Sequence, residues 1–369
     1  MINALHLNSS FGFSTAAEFS AALADEFSTC LYSRGRNPTV DALRAELALL
    51  DGAEDCLLFN SGVSAISTAV LSMVKSGDHI IAVRGCYVWT ERLFNWLSAS
   101  FGIDVSFVEG KDTWAFEKAI RPNTRLIYLE SPTGWSCELQ DLHEVALLAR
   151  AAGIITLCDN SYSTPLHQQP IKLGIDMAVQ SASKYLGGHS DLIGGVLCGS
   201  AAMIKQIFER EFLMLGTGMM PFVAWQLGRS LPTLQMRLKQ STGTVLNVLP
   251  YLRKHPKIEK VLYPFNINAK QYSLALKQMQ GGGGLLTLVM KPGFSREAIL
   301  GFCERLEMFR MAVSWGGTHS LVFPKCAGIA EDLFDAAVEE HRYVRLYFGL
   351  EDGEELLKDL DRALEGMEG

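Results

Sequence analysis

The chain has 369 residues, 33 Lys+Arg against 40 Asp+Glu, a formal charge of -7, 48% hydrophobic and 20% charged residues. The acidic balance excludes non-specific binding to nucleic acid, because no basic excess would neutralise phosphates. No apolar run is long enough to span a membrane, and residues 1–13 lack a basic segment followed by an apolar core. A cytoplasmic protein with neither a membrane nor a nucleic-acid partner is expected.

The first forty residues read as an arm with little periodicity. From there to residue 200 short apolar runs alternate with amphipathic stretches. Strands are predicted at residues 55–59, 79–83, 125–129, 154–158 and 177–180, and helices at 63–74, 90–100 and 142–152. Strand–helix alternation predicts an α/β fold with a mainly parallel sheet covered on both faces. Ligands bind such sheets beyond the carboxyl ends of the strands. After Gly228 the pattern changes, with strands predicted at 258–262, 285–290, 311–314 and 344–348 and a closing helix at 353–365. This reads as a smaller C-terminal α/β domain, giving boundaries of 1–40 for the arm, 41–230 for the large domain and 231–369 for the small one. Cys56, Cys158 and Cys198 read as small core residues, in keeping with a reducing compartment. The cysteines and histidines show no paired metal-type spacing, so no metal site is expected.

Polar residues just after the strands are the site candidates. Asn60-Ser61-Gly62-Val63-Ser64 joins a strand to a helix. It reads either as an ordinary N-cap or as a phosphate site built from free backbone N–H groups. It lacks the Gly-Lys-Ser/Thr ending of a nucleotide loop. Asp159 ends an apolar strand, and is either a turn cap or a buried carboxylate awaiting a cation. Lys184 follows Ser181-Ala182-Ser183, and Gly187-Gly188-His189 follow it. It is either a surface lysine or a nucleophilic amine whose pKa is lowered by desolvation.

Several segments taken together are similar to one family. Tyr32-Ser33-Arg34 with Asn37-Pro38-Thr39, Ser61-Gly62-Val63, Tyr87 leading into Thr90-Glu91-Arg92, Asp159 to Pro165, Ser181 to Tyr185 with Gly188 to Asp191, and Ser314-Trp315-Gly316-Gly317 with Val344-Arg345-Leu346 occur in one order. In that order they resemble the Cys/Met-metabolism family of pyridoxal-5′-phosphate (PLP) enzymes, the group of cystathionine γ-synthase, cystathionine lyase and methionine γ-lyase. The likeness implies the PLP-dependent transferase fold of type I and Lys184 as the Schiff-base lysine. It implies that Ser61, Gly62, Val63, Ser181 and Ser183 hold the cofactor phosphate, that Tyr87 stacks on the ring and aids proton transfer, and that Asp159 meets the ring nitrogen. Tyr32 and Arg34 would reach the phosphate of a neighbouring subunit, in dimers with shared active sites paired into homotetramers. Arg345 would grip the α-carboxylate of a small-molecule amino acid, with Ser314, Trp89 and His319 on the substrate side.

The implied reaction is β- or γ-elimination from a sulfur-containing or otherwise γ-substituted amino acid. γ-Replacement on an activated homoserine is the alternative, and a non-catalytic PLP-binding paralogue the third reading. Four positions depart from the family pattern: Gly134 for an asparagine, Trp89 for a small residue or cysteine, His319 for a glutamate, and Tyr347 for a serine. All four are expected on the substrate side, which predicts retained PLP chemistry with a changed substrate.

Overall fold

A computed structural model describes residues 4–368. The first alternation forms seven strands: β1 (Asp55–Phe59), β2 (His79–Val83), β3 (Asp104–Val108), β4 (Thr124–Glu130), β5 (Ile155–Asp159), β6 (Met177–Ser181) and β7 (Gly195–Gly199). Their order in the sheet is β1-β7-β6-β5-β4-β2-β3. β2 to β6 run parallel, and β7 is antiparallel to both β1 and β6. The carboxyl ends of β1, β2, β4, β5 and β6 therefore lie along one edge, where the chain places Ser61, Tyr87, Glu130, Asp159 and Lys184.

The apolar strands are continuous because helices cover both faces. Ile80, Ala82, Leu126, Tyr128 and Leu157 share a core with the helices Gly62–Met73 and Val88–Phe101. Their neighbours Ile81, Ile127, Leu129 and Cys158 face the opposite way, against the helices Thr113–Ala119 and Leu142–Ala152. This is the two-residue alternation of a strand, used on both sides.

A second sheet contains β8 (Ile258–Leu262), β9 (Leu285–Met290), β10 (Arg310–Met311), β11 (Leu321–Pro324) and β12 (Tyr343–Tyr347), in the order β10-β11-β12-β9-β8. Leu286, Leu288, Met290, Val344 and Leu346 form its core with the helices Leu234–Leu252, Arg296–Arg305 and Gly353–Glu365. The predicted strand at 311–314 is shorter than expected. The chain leaves extended geometry at Ser314, which takes φ 84° and turns into Gly316. The arm is also more regular than expected. It holds a helix, Ala16–Ala24, capped by Thr15 and Glu18, with Ala22 as its only buried residue. Among the described residues no helix is long and apolar enough to cross a membrane.

One buried carboxyl makes stability depend on pH. Asp51 ends the helix Pro38–Asp51 and is fully buried. Its Oδ2 accepts from Gln180 Nε2 and Cys198 Sγ, while Oδ1 has no partner among the described residues. Burial without a cation pushes its pKa up to about 7. The folded chain thus holds a proton that the unfolded chain, with a carboxyl near ~3.9, releases. The stabilisation is complete below about pH 4 and is lost as the pH rises through about 7. Asp51→Asn keeps the shape and removes the charge. We expect it to stabilise the protein by ~1–3 kcal/mol at pH 8, with the gain shrinking towards pH 5. Thermal unfolding of both proteins across that range checks this.

Candidate active site

The helix Gly62–Met73 begins with a reciprocal cap. Ser61 Oγ accepts from Ser64 N at 3.1 Å, and Ser64 Oγ accepts from Ser61 N at 3.1 Å. The N–H groups of Gly62 and Val63 donate to no protein acceptor among the described residues. Gly62 also lets the helix start touch β6, since a Cβ there would lie 2.9 Å from Ser181 Cβ. The Ser61–Val63 turn and Ser181 thereby converge. Two unspent N–H groups, a helix N-terminus and a serine hydroxyl make a fitting cradle for a phosphate. Ser183 differs from its predicted partners. Its hydroxyl is already engaged with Gly194, whose N–H it accepts at 3.1 Å.

At the adjacent strand ends, Glu130 of β4 stands directly opposite Asp159 of β5. Asp159 Oδ1 accepts from Ser161 N at 2.8 Å. Burial raises its pKa, with Ser161 and the Lys184 charge opposing the rise. Glu130 is raised by burial first and by the Asp159 charge second, with the Tyr87 and Gly134 N–H groups opposing the rise. Glu130 is a site residue that the sequence reading missed. Its Oε2 accepts from Tyr87 N at 2.6 Å, and its Oε1 accepts from Gly134 N at 2.9 Å. One buried side chain therefore ties the loop after β2 to the loop after β4. Tyr87 is half-exposed, and its phenol stays protonated because burial, Asp159 and Glu130 all raise its pKa.

Lys184 faces this acid pair. Burial lowers its amine pKa first, the Arg345 charge lowers it further, and Asp159 opposes. Its Nζ lies 5.6 Å from the centre of the Trp315 ring. Gly316, at φ 87°, packs on the Lys184 backbone, where a Cβ would come within 2.7 Å of Lys184 C. Only glycine fits that approach, and it brings Ser314 and Trp315 over the lysine. Ser314 holds left-handed geometry with a side chain attached, a strain that is common at binding sites.

Arg345 sits on β12 opposite Phe323 of β11. Its guanidinium lies 4.6 Å from the Trp135 ring centre and 5.3 Å from that of Phe323. Burial lowers its pKa to about 10. It forms no ion pair among the described residues.

Of the four departing positions, Gly134 lies at the site, where its N–H meets Glu130 beside Trp135, the neighbour of Arg345. Trp89 is half-exposed with Arg92 stacked 4.7 Å over it, and His319 is exposed, 3.8 Å from Glu351. Tyr347 corrects the expectation that all four face the substrate. It is buried, its ring packs 5.9 Å from Tyr185, and its hydroxyl donates to Gly317 O at 2.7 Å. Inward placement follows because the phenol finds a carbonyl there and so loses nothing by leaving water. It braces the 314–317 turn from below. His189 donates from Nδ1 to Gly187 O at 2.6 Å, which fixes the loop after Lys184. On the arm, Tyr32 is 45% exposed, with Arg34 stacked 5.4 Å over its ring and also exposed. Neither side chain enters the site of its own chain described above.

An amine whose pKa burial lowers, a buried carboxylate, and a cradle of free N–H donors suit an aldehyde, a pyridine nitrogen and a phosphate respectively. The residues present therefore fit PLP. The family profile described as Cys/Met metabolism PLP-dependent enzyme matches residues 1–365. The chain is 34% identical to L-methionine γ-lyase of Treponema denticola, over 98% of this chain and 92% of that protein. It is also 34% identical to O-succinylhomoserine sulfhydrylase of Pseudomonas aeruginosa, over 99% of this chain and 91% of that protein. A crystal structure of cystathionine γ-lyase from Lactobacillus plantarum complexed with L-serine superposes with a TM-score of 0.89 at 30% identity, covering 99% of this chain and 93% of that one.

Proposed function

Because the chain belongs to the Cys/Met-metabolism PLP-dependent enzyme family, we propose that it eliminates the γ-substituent of an amino acid, leaving a keto acid and ammonia. Elimination or replacement at a side-chain carbon, with PLP as cofactor and a small-molecule amino acid as substrate, is the chemistry of that family. The observation that carries the reading is the facing pair Lys184 and Arg345. Each is a desolvated cation within electrostatic reach of the other, and Arg345 has no ion-pair partner among the described residues.

When bound, PLP supplies a protonated ring that takes up the electron pair released at the substrate Cα. Asp159 would keep that ring nitrogen protonated. Gly62 N, Val63 N, Ser61 and Ser181 would hold the phosphate, with Ser183 steadying the strand end through Gly194. Arg345 fixes the α-carboxylate through two parallel hydrogen bonds, which sets the Cα–H towards Lys184. Lys184, less basic than an exposed lysine, removes the Cα proton and returns a proton further along the side chain. Tyr87, its phenol protonated, stacks on the ring and donates to the leaving group. Trp89, His319 and Ser314 border the side-chain end of the substrate.

Elimination and replacement give different products. Incubation with γ-substituted amino acids and no added thiol should yield a keto acid and ammonia. Turnover seen only when a thiol or sulfide is added would assign replacement instead. Methionine and cystathionine are expected to be poor substrates, because Gly134, Trp89 and His319 alter the substrate side. Turnover of either at ordinary enzyme rates would overturn that expectation.

The division at residues 40 and 230 is part of the same reading, and is supported by the two sheets at 55–199 and 258–347 with separate cores. So is a dimer with shared sites, paired into a tetramer. The support is the exposed Tyr32–Arg34 pair beside a segment rich in exposed apolar side chains, with Met214, Leu215, Met220 and Phe222 outward and Gly218 on the Arg34 carbonyl. Arg34→Ala is expected to weaken PLP binding about tenfold while leaving the fold intact. Unchanged affinity in a PLP titration would remove the intersubunit role. A cytoplasmic location is supported by eight cysteines that are all free thiols.

A further inference from the structure

We propose that Trp135 is a positioning residue for the substrate carboxylate, its indole face holding the Arg345 guanidinium flat while leaving the hydrogen-bonding edge free. The inference rests on the reading of Arg345 as the carboxylate receptor. A guanidinium that must wait for a ligand poses a physical problem. Taken out of water without a partner it is costly, yet any carboxylate or carbonyl bound to its fork would compete with the substrate. An aromatic face resolves both demands. It stabilises the cation through the ring's quadrupole, more strongly once water is excluded, and it occupies none of the five N–H donors.

The geometry has this form. Arg345 is flanked by Trp135 at 4.6 Å and Phe323 at 5.3 Å, and those two rings lie 5.1 Å apart at 59°. Among the described residues no protein group accepts a hydrogen bond from the Arg345 guanidinium. Phe323 is set by the sheet, since it stands opposite Arg345 in the β11–β12 pair. Trp135 comes from a distant segment and is set by Glu130, which accepts the N–H of Gly134 just before it. Lys325 steadies the same indole with its Nζ 5.5 Å from the ring centre, while Glu340 pairs with that lysine. Position 134 itself has no side chain to offer the substrate. The stack thus substitutes order for a missing hydrogen bond: a fork already immobilised loses less freedom when the carboxylate arrives.

The test compares two ligands that differ only in the carboxylate. L-alanine and ethylamine both carry an amine, and neither has a leaving group. Calorimetric titration of the PLP-loaded protein gives the affinity of each. Trp135→Ala should weaken L-alanine about tenfold and leave ethylamine unchanged, and Trp135→Phe should restore most of the loss. In turnover, KM should rise about tenfold with kcat within about twofold of the parent. Arg345→Ala serves as the reference and should weaken L-alanine more. If Arg345→Ala weakens L-alanine and both Trp135 variants bind it as the parent does, the inference falls and the reading of Arg345 stands. If Arg345→Ala leaves L-alanine binding unchanged, the reading of Arg345 falls and the inference falls with it. If Trp135→Ala weakens both ligands equally, or Trp135→Phe fails to restore binding, the indole acts on the site as a whole and the inference is overturned.

Discussion

Lys184→Ala protein is expected to fold, to bind PLP without covalent attachment, and to lose turnover by roughly a thousandfold or more, the scale of a positioned acid–base group. Two features set the size of the effect. Lys184 is the one amine at the sheet's carboxyl edge whose pKa is lowered by burial and by a second cation. Among the described residues the other two acids of the site are less free to replace it, because Glu130 accepts backbone N–H groups on both oxygens and Asp159, which accepts from Ser161 N, would be taken up by the ring nitrogen in the proposed reading. Methylamine supplied in solution should recover part of the rate, since it restores an amine without the tether. Steady-state kinetics at saturating PLP, with near-parent thermal stability as the control for folding, measure this. A variant with a large share of the parent rate would mean that Lys184 does not move the proton.

Asp159→Asn should lower kcat by roughly a hundred- to a thousandfold while PLP binding weakens far less. The amide has the shape of the carboxylate and retains an oxygen for the 2.8 Å bond from Ser161 N. It lacks the charge that, in the proposed reading, would keep the ring nitrogen protonated. The substitution also acts on the neighbouring acid. Asp159 is one of the causes that raise the pKa of Glu130, so Glu130 should ionise at lower pH in the variant. The rate–pH profile should change with it, which a purely structural role for Asp159 would not produce. A kcat near that of the parent would remove Asp159 from the ring-nitrogen role.

The fold was legible where burial on both faces makes a strand a nearly continuous apolar run. His79–Val83 and Leu285–Met290 are read with their observed bounds, and every residue of both is buried. Edge position alone did not hide a strand, since Asp55–Phe59 and Ile258–Leu262 end their sheets and were read with their observed bounds, but three other strands were missed. Asp104–Val108 lies at the edge of its sheet and is only half-buried, Gly195–Gly199 begins and ends in glycine, and Leu321–Pro324 ends in proline.

The cofactor side of the site was similarly legible, because each group there follows a strand in sequence. Glu130 followed the same pattern as Asp159, a carboxylate ending an apolar strand, and that signal was available without being used. The Trp135–Arg345–Phe323 stack had no such signal. Its three members come from the loop after β4 and from two strands of the other sheet, so only the tertiary arrangement brings them together. Tyr347 misled for a related reason. It lies two residues from Arg345 on the same strand face, yet the 314–317 turn covers it and takes its hydroxyl.

Reduction of the PLP-loaded protein with borohydride, followed by digestion and peptide mapping, addresses the centre of this account most directly. The account predicts a visible absorption band that borohydride removes, with a pyridoxyl group recovered on Lys184 and on no other lysine. A protein that stays colourless when PLP is added, or a pyridoxyl group found on a different lysine, would contradict it.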